Sequence, residues 1–382
     1  MSTTSTLALK AGLGALHYSG IARAMAPAMR GMGAVFMLHH VSPAKPVAYA
    51  PNSLLQITPD FLDEVVREVQ RQGFDTITLD EARARIRGDV KSDRPFACFT
   101  FDDGYRDNRD HALPVMKRHG VPFTVYVASD FADGRGFLWW LVLERVIGSR
   151  QSIAATINGR RETFRCISDS DKNATFDRLY WWLRAMPETH ARAIVADLAK
   201  DTGIDQLAPC RELAMTWSEL REFAAEPLVT IGAHTVRHLA LAKLGAHEAY
   251  AEIARSVTRV EHELGRPCRH FCYPYGDPGS ASEREFEMAS RLGMETAVTT
   301  RKGLVMGGPG TQLTALPRVS LNGNYQRISY VKALLSGVPF AMLRALQRRR
   351  PTPPYSTAGA SGFCIQRTSN AAGTTQANPP TM

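Results

Sequence analysis

PFACFTFDDG, residues 95–104, is an apolar run that ends in two adjacent carboxylates, Asp102 and Asp103, and turns on Gly104. The run has the length and composition of a buried strand, so both aspartates fall where the chain leaves a sheet. Side by side they repel, and a compensating group is needed close to them.

The same rhythm continues on both sides. GAVFMLHHVSP (33–43) reads as a buried strand closing on His39 and His40. ITPDFLDEVVREVQRQGF follows as a helix, with Thr58 as its N-cap and Pro59 at its first position. DTITLDEARARIRGD gives a short strand and a helix. After the DDG come a helix over 108–119 closed by Gly120 and a strand over 122–128. Residues 131–215 interrupt the pattern with a helix in FLWWLVLERVI, a hairpin about Asn158-Gly159 and two helices over 171–201. Alternation then resumes with the strands LVTIGAH (228–234), HFCYPYG (270–276), ETAVTT (295–300) and LTALPRVSL (313–321) and helices between the first three. About seven strand and helix units imply an α/β chain with a parallel sheet, closed as a barrel or strongly curved. Residues 1–32 form a helical opening segment, 33–345 the barrel domain with an insertion at about 131–215, and 346–382 a basic and then Pro/Ser/Thr-rich disordered tail.

With 382 residues, 44% apolar and 22% charged, the chain lies in the globular range. Its formal charge of +9 favours anionic surfaces, leaving room for peripheral contact with a membrane. Scattered arginines and the Arg348–Arg350 run read as a solvated surface, no nucleic-acid-binding pattern is present, and no 18-residue apolar window could span a bilayer. The six cysteines lack zinc-ribbon spacing and are expected as free thiols, with Cys268 and Cys272 structural. Lys10 and His17 interrupt the first apolar stretch, so a cytoplasmic location is expected, with export by an atypical signal as the alternative. The oligomeric state is not encoded in any motif.

Reactive groups in parallel α/β folds collect at the carboxyl ends of the strands. Asp102 and Asp103 end one strand, His234 and His238 follow another, Tyr273 and Tyr275 close a third, and His39 and His40 close the first. H-T-V-R-H (234–238) places two imidazoles four apart, on one face if a helical turn begins at the strand end. Two histidines and one carboxylate form a divalent-metal site with open positions, and a cation beside one aspartate would relieve the repulsion and leave the other as a base. Taken singly, D-D-G and P-Y-G are ordinarily turns and H-x3-H is ordinarily a surface feature. Their joint placement at the ends of apolar strands is what turns the reading toward a site. The Trp139-Trp140 and Trp181-Trp182 pairs read as helix packing in preference to sugar-stacking platforms.

TFDDG (100–104), H-T-V-R-H (234–238) and F-C-Y-P-Y-G (271–276), in that order, resemble the successive motifs of the polysaccharide deacetylase family, the NodB-homology or carbohydrate esterase family 4 enzymes. The resemblance covers about residues 33–323. It implies a distorted (β/α)7-type barrel and metal-dependent removal of N-acetyl groups from an acetylated polysaccharide, oligosaccharide or glycan precursor. Residue by residue, it implies Asp102 as general base, Asp103, His234 and His238 as ligands of a divalent metal (Zn2+, or Co2+, Ni2+ or Mn2+), and Tyr275 with Tyr273 at the substrate and oxyanion. Two features depart from the family pattern. No histidine follows His270, so the late L-x-H acid is missing, and Cys272 stands where an arginine would orient the base. Arg318 is therefore expected to replace that arginine, and His39 to supply the acid. Alternatives at the same site are an O-acetyl esterase or a deformylase of a lipid-linked amino sugar, and from another class a non-catalytic glycan-binding relative.

Overall fold

The strands β1 (Gly33–Leu38), β2 (Phe96–Phe101), β3 (Phe123–Val127), β4 (Val229–Ala233), β5 (His270–Cys272), β6 (Thr296–Lys302) and β7 (Leu316–Ser320) close into a parallel barrel in a computed structural model that describes residues 3–157, 159–308 and 310–348. Closure is made by β1. It pairs with β2 from Gly33 opposite Phe96 to Leu38 opposite Phe101, and on its other edge with β7, Phe36 opposite Val319. The remaining neighbours run β7, β6, β5, β4, β3, β2, and a two-residue strand at Asp75–Thr76 pairs with the start of β2. This compact unit extends to Leu343. Arg344–Met382 form a second unit, and the tail from residue 349 lies outside the described residues.

Alternation along each strand sorts the side chains. Val35, Cys98, Tyr126, Cys272, Val298 and Leu316 meet as one buried cluster inside the barrel. Phe36, Phe99, Phe101, Val125, Phe271 and Val319 point outward into a larger core under the helices, where Phe36 and Phe99 stack at 4.9 Å. The parity that turns Cys98 and Thr100 inward also turns Asp102 inward, and the parity of Leu316 does so for Arg318. The interior is tight at β4, where a Cβ on Gly232 would lie 2.6 Å from the Tyr126 ring and 2.7 Å from the His270 carbonyl.

Several boundaries differ from expectation for identifiable reasons. The first strand ends at Leu38, and His40-Val41 make a separate ladder with Gln56-Ile57. HFCYPYG is a strand only through Cys272, because Pro274 has no N–H for a ladder and Tyr275 and Gly276 take φ of 60° and 57°. The helix after the DDG starts as a π-turn over Asn108–Ala112 before continuing as Leu113–His119, closed by left-handed Gly120. Tail disorder was expected on residues that the structure does not describe.

Between β3 and β4 the chain builds the helix Trp139–Gly148, the hairpin Ser152–Ile157 with Arg160–Arg165, and the helices Asp169–Ala185 and Glu188–Thr202. Asn158 of the hairpin turn lies outside the described residues, and Gly159 has φ 78°. Leu143, Val146, Phe176, Leu179 and Val195 give this segment its own core, continuous with Tyr105 and Phe131 at the barrel mouth. All five cysteines among the described residues are buried free thiols.

Replacing Gly232 with Ala should lower stability by roughly 1–3 kcal/mol, since the added methyl meets a ring and a backbone carbonyl at once. Urea unfolding of the two proteins checks this.

Candidate active site

The strands deliver two adjacent, fully buried carboxylates to the barrel mouth, and different partners meet each one. Asp102, still on strand parity, faces inward. Arg318 meets it with a paired fork: Nη1 donates to Oδ1 and Nη2 to Oδ2, both at 2.7 Å. The arginine is itself fixed, Nε donating to the Thr299 carbonyl at 2.8 Å and Nη1 to Thr100 Oγ1 at 3.0 Å. Burial alone would raise the Asp102 carboxyl, but the charge and hydrogen bonds of Arg318 overturn this and hold it well below the usual carboxylate range. Cys272 lies in the same shell, its thiol donating to Asp102 Oδ1 at 3.5 Å and its pKa pushed far up by burial.

Asp103 has no such partner. Its φ of 74°, followed by 70° at Gly104, swings the second carboxylate away from the barrel interior. There it meets His238 Nε2 at 3.3 Å and His234 Nε2 at 3.6 Å from Oδ1. His234 donates its Nδ1 hydrogen to the Cys272 carbonyl at 2.7 Å, which leaves the Nε2 lone pair facing Asp103. Burial lowers both histidines, His238 strongly, so both stay neutral. Burial and then the charge of Asp102 push Asp103 up to about 7.

The expected helical turn over 234–238 does not form. Thr235 and His238 adopt φ of 64° and 56°. The backbone N–H groups of Val236 and Arg237 both donate to Glu252 Oε2, at 3.1 and 2.9 Å, and His238 N–H to Thr235 Oγ1 at 3.0 Å. The two imidazoles converge because a buried glutamate and an ST-turn shape the loop.

Ligand atoms of Asp103, His234 and His238 lie within 4.8 Å of one another, as do those of Asp102, His234 and Cys272. The partners of the two sets decide between them. In the second, Arg318 already holds both Asp102 oxygens and the sulfur keeps its proton. In the first, Asp103 Oδ1, which faces both Nε2 atoms, is buried without a hydrogen-bond partner, which is rare in folded proteins. A carboxylate and two neutral imidazoles facing one point are donors that suit a divalent cation.

His39 leaves the end of β1 with Nε2 3.8 Å from Asp102 Oδ2, its side chain 19% exposed, and burial lowers it to about 4 against the opposing pull of Asp102. His40 turns away to Asp107, Nδ1 to Oδ2 at 2.7 Å, and stacks on Tyr105. Tyr275 lies 4.9 Å from the His238 ring, and its backbone N–H has no protein partner among the described residues. Tyr273 is a correction. One residue after inward Cys272, it points outward, packs against Phe271 and Phe286, and donates its hydroxyl to the Thr314 carbonyl at 2.9 Å, so it belongs to the core and not to the site.

The sequence reading missed the insertion's contribution. Trp140 lies 5.1 Å from the His238 ring, Trp139 Nε1 donates to Tyr275 Oη at 2.8 Å, and the Arg184 guanidinium stands 3.7 Å over the Tyr275 ring. Arg192 Nη2 donates to the carbonyls of Arg237 and His238 at 3.0 and 3.1 Å. The only signal was an aromatic pair in a helical pattern, which packing alone also explains.

Comparison with known proteins agrees with this architecture. The profile of the polysaccharide deacetylase family matches residues 89–297. The chain belongs to that family. The Bacillus subtilis (strain 168) protein YxkH, named for the same family, is 38% identical over 55 residues, a stretch spanning 14% of this chain and 20% of that protein. Among solved structures, the Streptococcus pyogenes deacetylase PplD in complex with acetate has a TM-score of 0.52 at 16% identity, with 80% of this chain and 97% of that one covered. IcaB from Ammonifex degensii has a TM-score of 0.50 at 18% identity, covering 80% and 98%. At these identities the two structures speak for the fold.

Two measurements test the electrostatics. Arg318→Met leaves a buried carboxylate without its partner and should cost roughly 3–5 kcal/mol at neutral pH. Because the lowered Asp102 pKa contributes stability above the unfolded value and loses it as pH falls, the gap to the native protein should narrow in acid urea titrations. His39, lowered in the fold, resists a proton that the unfolded chain takes up. The native protein should lose stability as pH falls from about 6.5 toward 4, and His39→Gln should lose less over that window.

Proposed function

We propose that the chain is a metal-dependent carbohydrate N-deacetylase. One observation carries this reading: of two adjacent buried carboxylates, Asp102 is charge-matched by Arg318, while Asp103 is left facing two neutral histidine nitrogens with an unpartnered oxygen. Asp103, His234 and His238 would hold the ion. When bound, such an ion supplies Lewis acidity that polarises an acyl carbonyl and lowers the pKa of water.

The chain's own groups handle the protons. Asp102 takes a proton from the attacking water at a carboxylate oxygen as the water oxygen bonds to the acyl carbon. Held low by Arg318, Asp102 is a poor place for that proton to rest, and His39 Nε2, neutral and 3.8 Å from Oδ2, would receive it through one bridging water or on closer approach with substrate bound. His39 then delivers it to the sugar nitrogen as the C–N bond breaks, giving a free amine and acetate. Tyr275 N–H, without another partner, is a donor for the oxygen that gains charge. Arg318 orients Asp102 through both oxygens, a fork that lysine cannot reproduce.

Acetate should be released from N-acetylglucosamine oligomers, abolished by a chelator and restored by added divalent metal. Lack of release from any acetyl-sugar in the metal-loaded protein would overturn the reading, and release from O-acetyl sugars alone would make it an esterase. Asp102→Asn should cut turnover roughly 10²–10⁴-fold while leaving metal content unchanged. His39→Ala should likewise reduce turnover far more than metal content; full activity in that variant would remove His39 from the proton path.

A further inference from the structure

Charge is distributed very unevenly along this chain. Residues 1–59 and 296–382 contain no Asp or Glu and 14 Lys and Arg, so all 37 acidic residues lie between Asp60 and Glu295. The fold brings parts of these two acid-free ends together: the helix Thr3–Tyr18 packs on the helix Ile328–Leu335, which also contacts Ile21–Met29.

From Leu7 onward the first helix shows no polar outer face. Its inner side places Leu13 and Leu16 against Tyr330 and Leu334. Every exposed position from Leu7 to Tyr18 is nevertheless apolar or glycine, with Leu7 60% and Tyr18 80% exposed. The second helix buries Ala22 and Ala26 and shows Ile21 and Met25 to solvent beside Arg23. Single exposed apolar residues are ordinary on protein surfaces. A helix with apolar residues on both sides, in a segment that itself carries no acidic residue and lies beside the cations Lys10, Arg23 and Arg327, is a surface made to be covered. Beside it, a cleft of about 550 Å³ between this helix and residues 323–330 is flanked by the cations Lys10 and Arg327.

We propose that this face docks on an anionic phospholipid bilayer, the apolar side chains of the first two helices entering the interface while Lys10, Arg23 and Arg327 meet lipid phosphates. Positive charge alone would serve any polyanion, and apolar area alone would serve a protein partner. An anionic bilayer offers both in one plane, and this face presents both. Docking of this kind is independent of chemistry at the barrel mouth.

Flotation of the full-length protein with vesicles of phosphatidylcholine alone, or of phosphatidylcholine with phosphatidylglycerol, tests it. The protein should float with the anionic vesicles and not with the neutral ones, and added salt should weaken the binding. The exposed pair Leu7→Glu/Ile21→Glu should bind about tenfold more weakly or worse, and Lys10→Glu/Arg23→Glu similarly. An unchanged melting temperature in either pair certifies the fold. No flotation on anionic vesicles, or flotation unaffected in both double variants, overturns the proposal. So does binding to dextran sulfate that competes with vesicles and survives Leu7→Glu/Ile21→Glu, which would assign the face to soluble polyanions. A vesicle-independent dimer abolished by that pair would assign it instead to a second copy of the chain.

Discussion

Two carboxylates that are neighbours in sequence, both buried at the mouth of an apolar barrel, are the constraint on which the rest of the structure depends. Neither can remain ionised there without a positive partner, because the cost of removing a charge from water far exceeds what a single neutral hydrogen bond returns. The fold treats the two differently through one backbone torsion. Asp102 keeps the strand's inward parity and falls onto Arg318, whereas the left-handed conformation of Asp103 carries its carboxylate out of the arginine's reach toward His234 and His238. The two carboxylates thus end in different surroundings, one matched by an arginine and the other facing two imidazoles.

The supporting groups act on this arrangement from several strands. Thr100 and the Thr299 carbonyl lock the guanidinium, the Cys272 carbonyl fixes the tautomer of His234, and Glu252 shapes the loop that carries His238. These groups come from β2, β6, β5 and the helix Ala246–Leu264, so the site depends on barrel closure and not on any local motif. The insertion adds the wall facing His238 and Tyr275, through Trp139, Trp140 and Arg184.

Much of this was legible in the chain because buried parallel strands are written as short continuous apolar runs and their ends as the polar residues that stop them. PFACFTF and LVTIGAH announced both their burial and the polar residues that terminate them, and the absence of an arginine before Tyr273 directed attention to Arg318. Legibility stopped where a contact joined distant segments. Nothing near H-T-V-R-H reveals that Glu252, 14 residues beyond His238, would occupy the backbone N–H groups that a helical turn would have used. Tyr273 was misassigned because a motif was taken as a block, although adjacent strand residues point to opposite faces and only Cys272 of that pair could face the site. The tryptophans of the insertion were unreadable for a related reason: an aromatic residue in an amphipathic helix looks the same whether it covers a core or a catalytic pocket.

Which carboxylate would take a metal is the claim on which the proposed mechanism rests, and two candidate donor sets lie within the same few ångströms, one containing Cys272 and the other not. X-ray absorption spectroscopy of the zinc-loaded protein separates them directly. A first shell of nitrogen and oxygen alone, at roughly 2.0–2.2 Å, is the outcome that ligation by Asp103, His234 and His238 requires. A sulfur scatterer near 2.3 Å would place the ion on Cys272 and Asp102, take the base out of play, and contradict the account.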